Sequence, residues 1–140
     1  TNAIKETIWP GRIEVLNFSN KKIILDGSHN IDGAKKLYQF LKNNKIKPTV
    51  IFGMINNKNI EEFLNIIRKQ ITSILAIKIP NEKNAFSTNE ISEKCNLLSI
   101  KNLEAKNMYE VMKYIKVSDQ KIFLFTGSLY LVGKIRRKFL

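Results

Sequence analysis

Asp26, His29, Lys58 and Ser128 stand in three polar loops, Asp26-Gly27-Ser28-His29-Asn30, Gly53-Met54-Ile55-Asn56-Asn57-Lys58-Asn59 and Thr126-Gly127-Ser128. Each loop follows an apolar run and precedes a helical pattern. A carboxylate at a strand end can accept hydrogen bonds from ribose hydroxyls, and Gly27 lets the backbone turn sharply behind it. His29, the only histidine, has the chemistry to contact a base, a phosphate or a carboxylate. Backbone N–H groups after Gly53 and the ammonium of Lys58 can share an anion. Ser128 places a hydroxyl beside the free N–H groups of a helix start, a suitable seat for a substrate carboxylate. Each feature also has a plain structural reading: Asp26, Asn30 and Ser128 as caps, His29 and Lys58 as solvated surface.

Several chemistries are disfavoured. G-x-x-x-x-G-K-[ST] is absent, so the usual cradle for the β- and γ-phosphates of ATP is missing. No G-x-S-x-G elbow surrounds Ser128, which argues against a serine nucleophile. With no Cys or His cluster, no metal site is expected within these residues.

The elements that must position the loops read as alternating strand and helix. Arg12 to Leu16 alternates like a half-buried strand, Asn17-Phe18-Ser19-Asn20 is a turn, and Lys21 to Asp26 pairs back as a hairpin. Ile31 to Asn44 carries Ala34, Leu37, Tyr38 and Leu41 at helical spacing, and Thr49 to Phe52 is a β-branched run opened by Pro48. Ile60, Phe63, Leu64, Ile67 and Ile71 repeat the helical stripe, and Ser73 to Ile79 reads as a buried strand ended by Pro80. Ser87 and Glu90 form a capping-box pattern, Leu97 to Ile100 a short strand, and Met108, Val111, Met112 and Ile115 another helix. Lys121 to Phe125 is the last strand and Ser128 to Phe139 the last helix. The expected fold is α/β: a Rossmann-like, mostly parallel sheet with helices on both faces and an N-terminal antiparallel hairpin. In such a sheet, loops at the carboxyl ends of the strands converge on a shared cleft.

A length of 140 residues with 44% hydrophobic content suits one domain over 9–140, with 1–8 read as a linker or cloning remnant. No apolar stretch reaches the roughly 18 residues of a membrane span, and no leader opens the chain. Cys95 is the only cysteine, which excludes an internal disulfide. A cytoplasmic, membrane-free monomer is the expectation. The net charge is +12, from 24 Lys and Arg against 12 Asp and Glu. Its lysines are spread along the chain among many Asn and Ile, as A- and T-rich coding would leave them, so a solvated basic surface is the expectation, with a small polyanion such as a nucleotide or a glutamate chain as the functional alternative and nucleic acid less favoured.

Trp9-Pro10-Gly11-Arg12-Ile13-Glu14, Ile24-Leu25-Asp26-Gly27-Ser28-His29-Asn30, Phe52-Gly53-Met54 and Thr126-Gly127-Ser128-Leu129-Tyr130-Leu131-Val132-Gly133 resemble, in order and spacing, the C-terminal domain of folylpolyglutamate synthase/dihydrofolate synthase, the folate branch of the Mur ligase family. The resemblance implies a glutamate-binding domain of an ATP-dependent amide ligase, inactive when isolated. In that chemistry a carboxylate of dihydropteroate or folate is phosphorylated, and the amine of L-glutamate attacks the acyl phosphate. The P-loop and the Mg2+ ligands would belong to an N-terminal ATPase domain of the same chain. Carried over, Arg12 would reach ATP phosphate, Asp26 the ribose, and His29 both nucleotide and glutamate. Lys58 and Ser128 would hold glutamate, and no residue stands out as a catalytic base.

The chain departs from the family pattern at Ile31, where a proline is usual, and at Asn57 and Asn59, where aspartates are usual, which removes two negative charges around Lys58. Two other readings compete: a non-catalytic basic α/β module binding nucleic acid or nucleotide, and a related ligase acting on a different amino acid.

Overall fold

A computed structural model describes residues 4–9 and 13–139, with side chains described from residue 13 onward. Seven strands form one sheet in the order β1-β2-β3-β7-β4-β5-β6. They are β1 (Ile4–Trp9), β2 (Ile13–Phe18), β3 (Lys21–Leu25), β4 (Thr49–Phe52), β5 (Ser73–Ala76), β6 (Asn102–Glu104) and β7 (Ile122–Thr126). β1, β2 and β3 pair antiparallel, and the β3-β7, β7-β4, β4-β5 and β5-β6 pairs are parallel.

The expected hairpin is β2-β3. Phe18 pairs with Lys21, and the two residues between them, Ser19 and Asn20, have φ of 51° and 64°, the double left-handed turn whose twist suits a two-residue hairpin. Ile4–Trp9 extends this hairpin as a third antiparallel strand, where the sequence reading has a linker over 1–8. β2 has an edge to offer, and Ile4, Thr7 and Ile8 supply β-branched residues to fill it.

The internal strands β4 and β5 are buried at every position, as the absence of alternation in their sequences requires for a sheet covered on both faces. Helices α1 (Ile31–Asn43), α2 (Ile60–Ile67) and α3 (Thr88–Leu97) cover one face, their Leu37, Leu41, Phe63, Ile67 and Ile91 packing with Val50, Phe52 and Leu124 of the sheet. Helices α4 (Met108–Val117) and α5 (Leu129–Phe139) cover the other, where Val111, Ile115, Leu131 and Phe139 meet Ile51, Phe123 and Phe125.

Three element assignments are corrected. Leu97 to Ile100 is not a strand: α3 runs through Leu97, the turn closes with Ile100 donating to the Cys95 carbonyl, and the edge strand falls two residues later. Ser87 and Glu90 form a full capping box, and the helix it starts carries its hydrogen bonding through the apolar pair that looked strand-like. At the other end, Ile71 is extended, because α2 stops at Ile67 and a 3-10 turn, Arg68–Gln70, intervenes. β5 likewise ends at Ala76, and its apolar continuation to Ile79 is irregular backbone packed under α4 and α5.

Candidate functional site

β3, β7 and β4 are adjacent at the centre of the sheet, so the loops that follow them emerge side by side. The loop of β7, last in sequence, is wedged between the other two. Gly127 N–H donates to the Ser28 carbonyl at 3.1 Å, and Gly53 N–H donates to the Thr126 carbonyl at 3.4 Å. Gly127 has φ of +109°, and a Cβ there would lie 2.3 Å from the Gly53 carbonyl oxygen and 2.8 Å from Phe52 Cε1. Only a residue without a side chain lets the three backbones close to this distance.

Asp26 sits at the floor of the cluster and is 4% exposed. Its Oδ2 accepts from the Ser28 N–H at 3.2 Å and from the Thr126 hydroxyl at 3.1 Å. Burial pushes its carboxyl above the ordinary carboxylate range, while the bonds from Ser28 and Thr126 and the nearby His29 pull it back. Thr126 is thus a positioning residue that the sequence reading did not single out. A hydroxyl-bearing residue ending a buried apolar strand is the available signal, but its partner lies 100 residues away.

His29 Nδ1–H donates to the Gly27 carbonyl at 3.0 Å, which fixes the orientation of the ring. Two neighbouring clefts share this ring and Leu129. One, of about 580 Å³, is lined by Asp26, Gly27, Ser28 and the start of α1, including Gly33 and Lys36. The other, of about 370 Å³, brings His29 together with Ile55, Lys58, Gly127, Ser128 and Tyr130. Leu129 and Tyr130 are 57% and 59% exposed at its rim, an apolar pair at a helix start that no core demands.

Ser128 is buried, and its Oγ accepts from the Tyr130 N–H at 3.0 Å. It therefore caps α5 and still has a hydroxyl proton to donate. At the two helix starts where the chain departs from the family pattern, asparagines serve as caps. Asn30 caps α1 by accepting from Gly33 N–H at 2.8 Å, which supports an N-terminus without proline. Asn59 caps α2, accepting from Glu62 N–H and donating to the Glu62 carboxylate, both at 3.1 Å. Asn57 is exposed in the loop. Arg12 lies outside the described residues. The structure thus gathers Asp26, His29, Lys58 and Ser128 at one end of the sheet.

The family of dihydrofolate synthetase C-terminal domains matches residues 12–138. The chain belongs to this family. The dihydrofolate synthase/folylpolyglutamate synthase of Bacillus subtilis is 28% identical over 151 residues, which cover 98% of this chain and 32% of that protein. Among solved structures, the folylpolyglutamate synthase of Thermotoga maritima superposes with a TM-score of 0.79 at 25% identity, over 94% of this chain and 30% of that one. A bifunctional folylpolyglutamate synthase/dihydrofolate synthase with Mn, AMPPNP and L-glutamate bound has the same fold, with a TM-score of 0.70 at 19% identity over 93% of this chain and 31% of that one. The chain therefore spans about a third of the length of these relatives. No helix among the described residues is long and apolar enough to cross a membrane.

Proposed function

We propose that this chain is the glutamate-positioning domain of an ATP-dependent ligase that joins L-glutamate to dihydropteroate, to folate or to both through an acyl phosphate. The observation that carries the reading is the interlock of three strand-end loops, which puts a buried carboxylate, an imidazole, an ammonium and a capped serine hydroxyl around two adjoining clefts. Support also comes from the family, from relatives that make dihydrofolate or folylpolyglutamate, and from a same-fold relative solved with a nucleotide analogue and L-glutamate.

In this reading the larger cleft faces the nucleotide. Asp26, oriented by Thr126 and Ser28, accepts hydrogen bonds from the ribose hydroxyls, which favour its charged form against the burial that opposes it. Arg12 engages phosphate through its planar fork. The smaller cleft takes glutamate: Lys58 neutralises a carboxylate, Ser128 donates its hydroxyl proton to it, and His29 Nε2 bridges the two ligands. Holding the amine against the acyl carbon is the contribution, since bringing two reactants into line removes much of the entropic barrier. In this reading the divalent cation of the reaction, with the P-loop, falls mainly to an N-terminal domain.

The test is kinetic, on the complete enzyme carrying this domain. Asp26→Ala and His29→Ala should each lower kcat/KM at least tenfold, about 1.4 kcal/mol of barrier. Turnover within about threefold of normal, roughly 0.7 kcal/mol, would remove both residues from the site.

A further inference from the structure

A second, larger cleft of about 820 Å³ opens on the α4 and α5 side of the sheet and shares no lining residue with the two clefts around His29. Its walls are the loop after β5, the loop leading into α4 and one side of α5. Six of its twelve lining residues are cations, Lys78, Lys83, Lys106, Lys134, Arg137 and Lys138, and Glu82 is its one carboxylate. Lys and Arg make up 24 of the 140 residues of the chain, so the fold gathers into this groove, at about three times their average frequency, cations that the sequence spreads along its length. Charges of one sign on the walls of a groove focus a field that recruits anions. Lys134 and Lys138 lie one turn apart, about 6 Å along the helix axis.

Both loops are held in place. Asn56 N–H donates to the Asn84 carbonyl at 2.7 Å and Phe86 N–H to the Met54 carbonyl at 2.9 Å, which fastens the segment carrying Lys78 and Lys83. Lys106 N–H donates to the Glu110 carboxylate at 2.7 Å, and Asn107 caps α4 by accepting from the Glu110 N–H at 3.0 Å. A wall ordered before the ligand arrives loses less on binding. One aromatic ring accompanies the groove. Tyr109 follows the lining residue Met108 on the first turn of α4 and is 74% exposed, while Met108, Val111 and Ile115 are the residues that α4 buries.

We infer that this groove binds single-stranded nucleic acid, its sugar-phosphate backbone lying along the cations and a base stacking on Tyr109. Single-strand binding combines a basic groove that tracks the backbone with an exposed ring, because every base has a π-face. A duplex keeps its bases stacked inside and can use the charges alone. A planar anionic membrane does not follow cations into a concavity, and the large apolar side chains of the lining, Ile79 and Met108, are buried and have nothing to insert. The groove uses none of Asp26, His29, Lys58 and Ser128, so it stands or falls apart from the ligase reading.

The experiment follows the fluorescence anisotropy of labelled oligo(U) and oligo(dT) of about twelve nucleotides, single-stranded and as the matching duplexes, titrated with this 140-residue chain at a series of salt concentrations. At least one single strand should bind, with log K falling against log salt at a slope of about −3 to −4, as about four to six neutralised phosphates give. The sugar bound more tightly names the source as RNA or DNA. Lys134→Glu/Arg137→Glu and Lys83→Glu/Lys106→Glu should each weaken binding at least about tenfold and flatten the slope by about 1.4, the share of two contacts. The two pairs sit on different elements, so the test survives if one variant fails to fold by circular dichroism. Tyr109→Ala should weaken binding at least about fivefold with the slope unchanged, and Tyr109→Phe should restore it. Lys45→Glu/Lys47→Glu makes the same change of charge before β4, at the opposite end of the parallel strands, and should cost less than about threefold. No binding of either strand to this chain or to the complete protein that carries it would overturn the site. So would losses from the control pair equal to those from the groove pairs, or a Tyr109→Ala affinity equal to the wild type. Duplexes bound as tightly as single strands, polyaspartate of equal charge competing as well as the oligonucleotide, or tighter binding to phosphatidylglycerol vesicles would overturn it as well.

Discussion

Replacing Gly127 with alanine attacks the joint that holds the three loops together. The added methyl would lie 2.3 Å from the Gly53 carbonyl oxygen and 2.8 Å from Phe52 Cε1, and φ is +109°. Neither neighbour can step aside cheaply, since one is backbone and the other a fully buried ring. Backbone strain of this kind costs about 1–3 kcal/mol, and forcing atoms into a filled interior about 1–3 more. A loss of about 4 kcal/mol corresponds to a fall in Tm of roughly 10–15 °C for a chain of this size. The Gly127 N–H to Ser28 is kept, so the effect isolates the side chain.

Two internal controls share the assay, urea unfolding followed by circular dichroism at constant m-value. Gly27→Ala meets Leu129 Cδ2 at 2.4 Å, but that atom ends a half-exposed, flexible side chain, so the loss should be under about 1.5 kcal/mol. Gly133, inside α5, has nothing within 4 Å of its added Cβ, and Gly133→Ala should raise stability by about 0.5–1 kcal/mol. A Gly127→Ala loss below about 1 kcal/mol would show that the loops relax apart easily and would refute the interlock as the organiser of the site.

Asp26→Asn should flatten a pH dependence. Because burial raises the folded carboxyl above its ordinary value of 3.8, the native state binds the proton more tightly than the unfolded chain. The stability contributed by this group is then full below the ordinary value and is lost as pH climbs through the raised one. The wild-type minus variant difference in unfolding free energy should therefore fall from pH 4 to pH 7, and a difference that rises would refute the burial argument. Ser87→Ala removes the hydroxyl that accepts from the Glu90 N–H in the α3 capping box while leaving the bond from the residue 87 N–H to the Glu90 carboxylate, and should cost about 1 kcal/mol in the same unfolding assay. The buried Cys95 thiol, its pKa pushed up to about 11 by desolvation, should react with a thiol reagent at pH 8 only as fast as the chain opens, and at once in denaturant. Lys58→Ala in the complete enzyme should raise the KM for glutamate at least about tenfold with a smaller effect on kcat, as expected for a residue that binds ground and transition states alike.

The periodic elements were readable because their burial is strictly one-sided or complete. Ala34, Leu37 and Leu41 are all buried on α1, and Val50, Ile51 and Phe52 on β4, so spacing and composition pointed to the same structure. The misreadings fall where local signals are weak. Leu97 is 72% exposed and β6 has three residues, one of them Leu103 at 56% exposure, so no apolar pattern separates helix end from edge strand. Convergence of the three loops followed from their position at strand ends, but their order did not. β7 lies between β3 and β4, and the bond from Thr126 to Asp26 spans 100 positions. The same applies to the clefts, since Tyr130 and Lys58 come together only when β7 is inserted.

That insertion constrains how such a site can work. Loops that close over a ligand by themselves need few bonds to their surroundings, and these have many: Gly127 to Ser28, Gly53 to Thr126, Thr126 to Asp26, and Asn56 to Asn84. Opening one of them would disturb strands at the centre of the sheet, where Leu124, Phe125, Ile51 and Phe52 are fully or almost fully buried. In the proposed ligase, closure by movement of this domain as a body would bring Asp26 and Ser128, each held by hydrogen bonds within the cluster, to the ligand already in place. Preorganised polar groups pay no reorganisation at the moment of reaction, which is the advantage that a loop cluster interlocked in this way would offer the proposed ligase.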